Sequence, residues 1–558
     1  MPHATTSTHR PTTPHVLVTG ATGFVGQAVV ERLLARTDAR ISVLIRPRGG
    51  RTGQDRLREL FDKPVFTPWR ESLGAPAAAA AFAARVSVVE GDLRDVPSLP
   101  TDLDAVVNSA SSVSFDDPID AALKTNVGGP HSLYRALDLA GNDPHVIHVS
   151  TSYVSTGRVD VASEARLEHD IDWRSELAWA LEARRRLARE HGTQGPELTK
   201  ALREVGRSRA RELGWTDAYT MTKALGERVA EELWGQAGRR LTILRPTIIE
   251  SALHYPYPGW IDGFKVADPL IAAYAQGRLV GFPGRPDNVI DIVPVDLVVS
   301  AVLAALRTPG EPGHVEYLQV SSSTTNPLTL SDVRHWVQTY FAAHPWIDKN
   351  GQEVRPDRWQ FSDPEDISRW VHRRQRVLDR SARVLDRLPA AWLTRPRTAV
   401  RHGLRSLETM GSFIDLYEPY TCASTTYEST RTRALLADQS APLDRFDIAS
   451  IDWQRYLMQA HLPAIAAIMA RRASTPPSTS SRAPDSRAPA ARIPSPSHPA
   501  SAHPVTPSTA SEAAAPITRS VRPRALGAGH PSSHRAARGP HTHRGPDASD
   551  LTRGLLHG

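Results

Sequence analysis

Residues 16–26 read Val-Leu-Val-Thr-Gly-Ala-Thr-Gly-Phe-Val-Gly. Val16 to Thr19 suit a buried parallel strand and run directly into Gly20, Gly23 and Gly26, after which Val29, Leu33 and Leu34 continue at helical spacing. The order is strand, turn, helix. The turn needs glycine because its backbone must bend tightly, let a pyrophosphate approach the amides and leave room for the helix to close on the strand. An anion placed there would meet the unpaired N–H groups and the positive end of the macrodipole. Gly20, Thr22, Gly23, Phe24, Val25 and Gly26 are therefore the first cofactor-binding candidates. A glycine-rich turn that binds nothing is the alternative, and the strand before it and the helix after it argue against that.

Strand and helix patterns keep alternating downstream. A second strand, Ile41–Ile45, is followed at once by Arg46 and Arg48, and the segment from Ile41 to Gly53 holds no Asp or Glu. At this place in a dinucleotide fold an acid binds the ribose 2′-OH of NAD, whereas guanidinium groups pair with the 2′-phosphate of NADP; the expected cofactor is NADPH. Further strands are read at Val86–Val89, Ala105–Val107, Val146–Val149 and Leu241–Leu244, with a helix over Ala121–Leu139. The predicted class is α/β: a doubly wound parallel sheet of Rossmann type, with ligands beyond the C-terminal strand ends.

The G-x-x-G-x-x-G spacing resembles that of the extended short-chain dehydrogenase/reductase superfamily, and Asn126-Val127-Gly128 is similar to its N-V-x-G helix. The resemblance implies that Asp92 and Leu93 lie beside the adenine and that the chain passes under the cofactor at Asn108-Ser109-Ala110, which makes Asn108 and Ala110 cofactor-binding candidates. It also implies a catalytic hydroxyl at the end of the fifth strand, where Thr151 is the best match and Ser150 and Ser152 are rivals. Tyr219-Thr220-Met221-Thr222-Lys223 is Y-x-x-x-K, and on a helix residues four apart share a face. A Lys ammonium beside a phenol favours the phenolate and would lower its value from about 10. The motif is short, but the chain holds only six Lys. Thr151, Tyr219 and Lys223 form the expected catalytic set, the last two also touching the cofactor. No metal ligand is assigned.

Past the sixth strand come Arg245-Pro246-Thr247-Ile248-Ile249-Glu250-Ser251-Ala252 and Pro256-Tyr257-Pro258-Gly259-Trp260-Ile261-Asp262-Gly263, then Asp291-Ile292-Val293-Pro294-Val295-Asp296, and finally Phe446-Asp447, Ile451-Asp452-Trp453 and His461-Leu462-Pro463. In kind and order these runs resemble the signature of fatty acyl-CoA reductases of the male-sterility type. The resemblance implies NADPH-dependent reduction of a long-chain fatty acyl-CoA through the aldehyde to the alcohol. Three alternatives stay open: a reductase stopping at the aldehyde, a dehydrogenase of steroids or sugar nucleotides on the same scaffold, and a dinucleotide-binding sensor or scaffold without turnover.

The expected organisation is a polar leader (1–13), a reductase domain (14–326) with a helical insert (167–217) and a substrate loop (246–290), a separate helical domain (327–470) and a tail (471–558). Within the insert, residues 169–213 read as two amphipathic helices with Trp173, Leu177, Leu181 and Ala188 on one face, serving either as a lid over the site or as a packed excursion. The aromatic, Pro-rich segment Tyr255–Trp260 offers an apolar loop to an acyl chain. Between Ile367 and Arg405 many Arg accompany Trp370, Leu378, Leu385, Leu388 and Trp392, a candidate peripheral contact with anionic membrane or with coenzyme A phosphates. His461 and Trp453 read as packing residues. The formal charge of +7 comes from the tail, where 12 Arg face four acids, so the body carries one net negative charge and no nucleic-acid partner is expected. The tail has no Phe, Tyr or Trp and cannot bury enough apolar surface to offset its chain entropy. A single Cys excludes an intrachain disulfide. With no apolar run of membrane-spanning length and no signal-peptide core at the N-terminus, the expected location is cytoplasmic.

Overall fold

The computed structural model describes residues 13–474 except 279–281, 349, 357–358, 360, 363, 388–397, 399, 402–403, 405–417, 419 and 438–446. The leader and the tail beyond 474 lie outside the described residues, as do Phe446 and the side chains of Trp370, Leu388 and Trp392.

Seven parallel strands form the central sheet: β1 (His15–Thr19), β2 (Arg40–Ile45), β3 (Val86–Glu90), β4 (Ala105–Asn108), β5 (His145–Val149), β6 (Leu241–Pro246) and β7 (Val315–Val320). Their spatial order is β7-β6-β5-β4-β1-β2-β3, so the winding reverses between β1 and β4 and opens a crevice at their C-terminal ends. Thr19 stands opposite both Leu44 and Asn108 there. Every residue of β1, β4, β5 and β6 is buried, as expected of parallel strands covered on both faces.

One face is covered by α1 (Phe24–Arg36), the other by α2 (Ile119–Asn126) and α3 (Gly128–Leu139). The single helix expected over 121–139 is therefore two. Pro130 has no N–H to offer the Asn126 carbonyl, which lies instead against Gly226, where a Cβ would fall 2.5 Å from it. The insert forms α4 (Trp173–His191) and α5 (Pro196–Glu212), separated by Gly192 at φ +82° and Gly195 at φ +127°. Its fully buried line runs through Trp173, Glu176, Ala180, Ala183 and Leu187, and of the expected face Leu177 and Ala188 pack half-buried against the same core while Leu181 is half-buried. Glu176 enters the buried line because Arg209 of α5 grips it at 2.6 and 3.0 Å. Two further helices, α6 (Ala218–Ala230) and α7 (Val295–Arg307), complete the layers, α6 beside α2 and α7 beside α1.

The boundary expected at 326/327 separates no cores, since all described residues belong to one compact unit. Leu328, Val337, Tyr427 and Tyr456 share a buried cluster with Val16, Val29 and Val298. Asn326 ties the segments together, its Nδ2 donating to the Ile448 and Ile451 carbonyls (2.9 and 2.8 Å) and its carbonyl accepting from Trp453 Nε1 (3.0 Å). The basic stripe lies on helix Pro364–Arg387, where Leu378 and Leu385 are half-buried and Val377 and Val384 exposed. Among the described residues no helix is long and apolar enough to cross a membrane.

β6 runs two residues past its expected end because Arg245 is held inside. Its guanidinium donates to Glu227 of α6 at 3.0 and 2.7 Å and to the Ala165 carbonyl at 2.7 Å, with both partners of the ion pair at most 2% exposed. Removing one partner strands a buried charge, so Glu227→Ala should lower the unfolding free energy by about 3–5 kcal/mol, measured by denaturant titration. A loss within that of a surface substitution would contradict the assignment.

Candidate active site

The glycine turn is set by close backbone approaches. Gly20 adopts φ +72°, and a Cβ there would lie 2.7 Å from the Ala110 nitrogen. At Gly26 a Cβ would fall 2.2 Å from the Gly20 carbonyl oxygen. Gly23 donates its N–H to that same carbonyl at 2.8 Å and caps α1 without any side chain, and no acid stands in the first turn. The open amides of α1 thus face the crevice, a cradle that fits the pyrophosphate of a nicotinamide dinucleotide.

Thr19 ties the two sides of the crevice together, donating its hydroxyl to Asn108 Oδ1 (2.7 Å) and accepting from the Ala110 N–H (3.2 Å), while Ser109 Oγ donates to the Thr19 carbonyl (2.7 Å). Asn108 and Ala110 therefore build the floor, and Ser109 is the member of that run that lines the cavity. Just past the end of β3, Asp92 is gripped by Arg94 at 3.0 and 2.8 Å and approached by Arg46 at 3.5 Å. The Arg94 hydrogen bonds chiefly hold its carboxyl well below the usual carboxylate range. Leu93 packs on Gly129, where a Cβ would come within 2.7 Å of its side chain. Arg46 and Arg48 are exposed at the end of β2. Arg56 joins them, donating to the Arg46 carbonyl (2.6 Å) and toward the Thr22 hydroxyl (3.4 Å). Burial and the neighbouring charges of Arg46 and Arg48 lower its proton affinity. Sequence reading missed Arg56, since only its reach back over the turn brings it to the other two.

Asp217 caps α6 by accepting from the Thr220 N–H at 2.9 Å, which places Tyr219 in the first turn and Lys223 one turn on. Tyr219 is half-buried, and Thr151 lies beside it at the end of β5. Burial and the adjacent Asp217 raise the phenol above its ordinary value, with the Thr151 hydroxyl pulling the other way. The expectation that Lys223 lowers the phenol is corrected here. Lys223 Nζ donates to the Val149 carbonyl at 2.7 Å, and burial, opposed by Glu227, brings it down to about 8. Tyr219 is thus a neutral hydroxyl donor at pH 7. Of the rival hydroxyls, Ser152 is turned away to the Arg245 carbonyl (2.7 Å), while Ser150 Oγ has no partner among the described residues.

Between the glycine turn and these hydroxyls lies a cavity of ≈ 500 Å³. Its apolar wall includes Phe115, Ile249, Phe264 and Tyr420. Phe115 packs edge-on against both Tyr219 and Tyr420 at 5.3 Å, and the Tyr420 hydroxyl donates to the Asp217 carboxylate. No sequence signal singled out Tyr420. The expected apolar loop Tyr255–Trp260 does not line the cavity: Trp260 is buried on Phe24 at 5.1 Å and Tyr255 lies under the Arg32 guanidinium at 3.8 Å. Asp296 anchors this loop, accepting from the amides of Leu253, His254 and Tyr255 at 2.9, 2.7 and 3.1 Å. Nor does any residue of 169–213 line it; the insert packs on α2 and α6.

Fold and site together define an α/β oxidoreductase that binds a nicotinamide dinucleotide above a glycine turn. The chain belongs to the male sterility protein family, whose NAD-binding profile matches residues 18–302, just over half of its length; NADPH is the usual cofactor of that family. It is 28% identical to fatty acyl-CoA reductase 2, chloroplastic, of Arabidopsis thaliana, over 80% of this chain and 77% of that one. It is also 28% identical to an alcohol-forming fatty acyl-CoA reductase of Simmondsia chinensis, over 81% and 96%. Its fold matches the terminal R domain of the myxalamid biosynthetic pathway with a TM-score of 0.50 at 16% identity, covering 82% of this chain and 91% of that domain.

Because Lys223 falls from 10.5 to about 8 on burial, the unfolded chain binds more protons between those values and native stability rises with pH across that window. The charged amine costs most below pH 8. Lys223→Met should therefore raise the melting temperature of the apoprotein at pH 7, by a margin that shrinks toward pH 10.5. A difference that does not change with pH would contradict this.

Proposed function

We infer that this protein reduces a long-chain fatty acyl-CoA to the primary alcohol, by way of the aldehyde, with NADPH as reductant. The observation that carries the reading is that Thr151 and Tyr219 line the same cavity as the glycine turn. Bound NADPH supplies the hydride. The part of the chain is to hold the thioester carbonyl against Tyr219 and Thr151, whose hydroxyls donate to the oxygen as negative charge develops on it. A phenol raised by burial suits that role, since it stays protonated and does not need to be re-formed between steps. Lys223, buried beneath Tyr219 on the same helix, positions the nicotinamide ribose. Collapse of the tetrahedral adduct breaks the C–S bond and releases the coenzyme A thiolate. The aldehyde left behind presents the same oxygen to the same two donors; the second hydride would leave an alkoxide, to which Tyr219 would give its proton, regained from solvent as the alcohol leaves.

Arg46, Arg48 and Arg56 support NADPH over NADH, as they cluster where the 2′-phosphate would lie. The apolar wall of Phe115, Ile249, Phe264 and Tyr420 supports an acyl chain, each buried CH₂ adding about 0.8 kcal/mol to retention of the intermediate. The segmentation into leader, reductase region, C-terminal region and tail stands as part of this reading, with the C-terminal region completing the reductase core. The exposed, Arg-rich helix Pro364–Arg387 supports a peripheral contact with anionic lipid, from which an acyl-CoA would be drawn.

With palmitoyl- or stearoyl-CoA as substrate, two NADPH should be oxidised per thioester consumed and the alcohol should accumulate even with a hydrazine present. One NADPH per thioester with quantitative aldehyde would overturn the alcohol assignment, and no acyl-CoA-dependent oxidation would overturn the substrate class.

A further inference from the structure

We propose that Glu250, Asp268 and His461 form a binding site for one divalent transition-metal ion, outside the cavity that holds Thr151 and Tyr219. The three residues come from separate elements: the short strand Ile248–Glu250, the start of helix Asp268–Ala275, and the turn Leu457–His461 that leads into the C-terminal helix Leu462–Ser474. Each is at most 1% exposed. Their donor atoms all lie within 4.8 Å of one another, with His461 Nε2 3.3 Å from Asp268 Oδ1 and 4.0 Å from Glu250 Oε2.

The local hydrogen bonding leaves this cluster unbalanced. Neither Glu250 oxygen has a partner in bonding geometry, only the Ala267 amide approaching it, and Asp268 Oδ1 has none either. Asp268 Oδ2 is satisfied by the Lys265 N–H at 2.5 Å, so the unpartnered oxygens are the ones that face His461. Two buried carboxyl groups with only the His461 Nε2 between them, an acceptor when Nδ1 carries the proton, repel if both ionise, and each unmet acceptor carries a desolvation penalty. Lys265 is the nearby cation, but its ammonium donates to the Asp262 carbonyl and sits over the Phe24 ring at 4.1 Å. A cation among the three side chains would meet all the unpartnered oxygens at once.

The histidine is arranged as a ligand would be. Its Nδ1 bonds to Ser251 Oγ at 3.1 Å, and the Tyr456 hydroxyl stands 3.3 Å from the same Oγ and donates to the Ser251 carbonyl at 2.7 Å. With Nδ1 assigned as the donor, the Nε2 lone pair points at the carboxylates, and such an outer bond orients a metal-bound imidazole. One imidazole nitrogen and two carboxylates form a donor set for Zn²⁺ or Mn²⁺, whereas Ca²⁺ takes six to eight oxygens. Tetrahedral bonds of about 2.0–2.2 Å space their donors about 3.3–3.6 Å apart, and modest side-chain rotation brings the longer separations here into that range. The ion would bind together the strand whose Ile248 and Ile249 line the cavity, the helix that follows the Phe264–Val266 wall, and the C-terminal helix. Its role is to fix that wall.

The test uses the full-length protein stripped with EDTA and titrated with CoCl₂, ZnCl₂, MnCl₂ or MgCl₂. Zn²⁺ or Mn²⁺ should raise the melting temperature while Mg²⁺ does not, and Co²⁺ should give visible d–d absorption that saturates. Glu250→Gln and His461→Gln should each lower Co²⁺ affinity by at least about tenfold and abolish the thermal shift; should either fail to fold, Asp268→Asn carries the same test. Histidines in the tail can also take up Co²⁺, but an ion held there would not stabilise the fold, so the thermal shift separates the two. No shift with Zn²⁺ or Mn²⁺ in the wild type, or a shift that persists in a folded variant, overturns the proposal.

Discussion

Three backbone segments meet at the divide between β1 and β4 with no room for a side chain. A methyl group at Gly26 would overlap the Gly20 carbonyl, and one at Gly20 would overlap Ala110. Neither obstacle is a flexible side chain, so a larger residue would have to move β1, β4 or α1, and these carry the sheet. The same closeness aims the α1 amides into the crevice without a side chain between them. Everything else in the site is placed by its distance from that point: β5 ends at Val149, two residues before Thr151, β6 ends at Pro246, and α6 rises beside them with Tyr219.

The second constraint is a set of buried carboxylates, each doing several jobs. Asp217 caps α6 and accepts from Tyr420, so one group sets both the start of the helix bearing Tyr219 and the position of the aromatic wall. Glu164 accepts from the amides of Gln319 and Thr432 at 2.9 and 3.0 Å and so links the edge strand β7 to a segment more than a hundred residues on. Hydrogen bonds to an ionised group contribute about 1.5–3 kcal/mol each, which is why these few contacts can hold the C-terminal region against the sheet. The cavity is accordingly a product of both halves of the chain.

How much of this could be read from the sequence depended on the range of the interaction. The strand, turn and helix at Val16–Gly26 were legible because glycine spacing and apolar periodicity are local, and the order of elements followed from their alternation. Tyr219 and Lys223 pair by their spacing on one helix, yet the phenol shifts up rather than down, since burial and Asp217 outweigh an amine that turns to Val149. Tyr420 was invisible, being a lone tyrosine whose partner Asp217 lies 203 residues away. Aromatic residues serve cores and pockets alike, so the Tyr255–Trp260 loop reads as a lining until the Phe24 contact places Trp260 in the core. In the insert, Glu176 reads as a polar-face residue until Arg209 is seen to neutralise it.

The central claim is that Tyr219, neutral and beside Thr151 in the cavity lining, donates to the oxygen of the thioester carbonyl. The most direct measurement is single-turnover reduction of a long-chain acyl-CoA by Tyr219→Phe with NADPH prebound, beside equilibrium binding of NADPH to the same variant. Loss of one oxyanion donor costs about 10²–10³ in rate, so the account predicts a fall of that order with NADPH affinity essentially unchanged. A single-turnover rate equal to that of the wild type would contradict it.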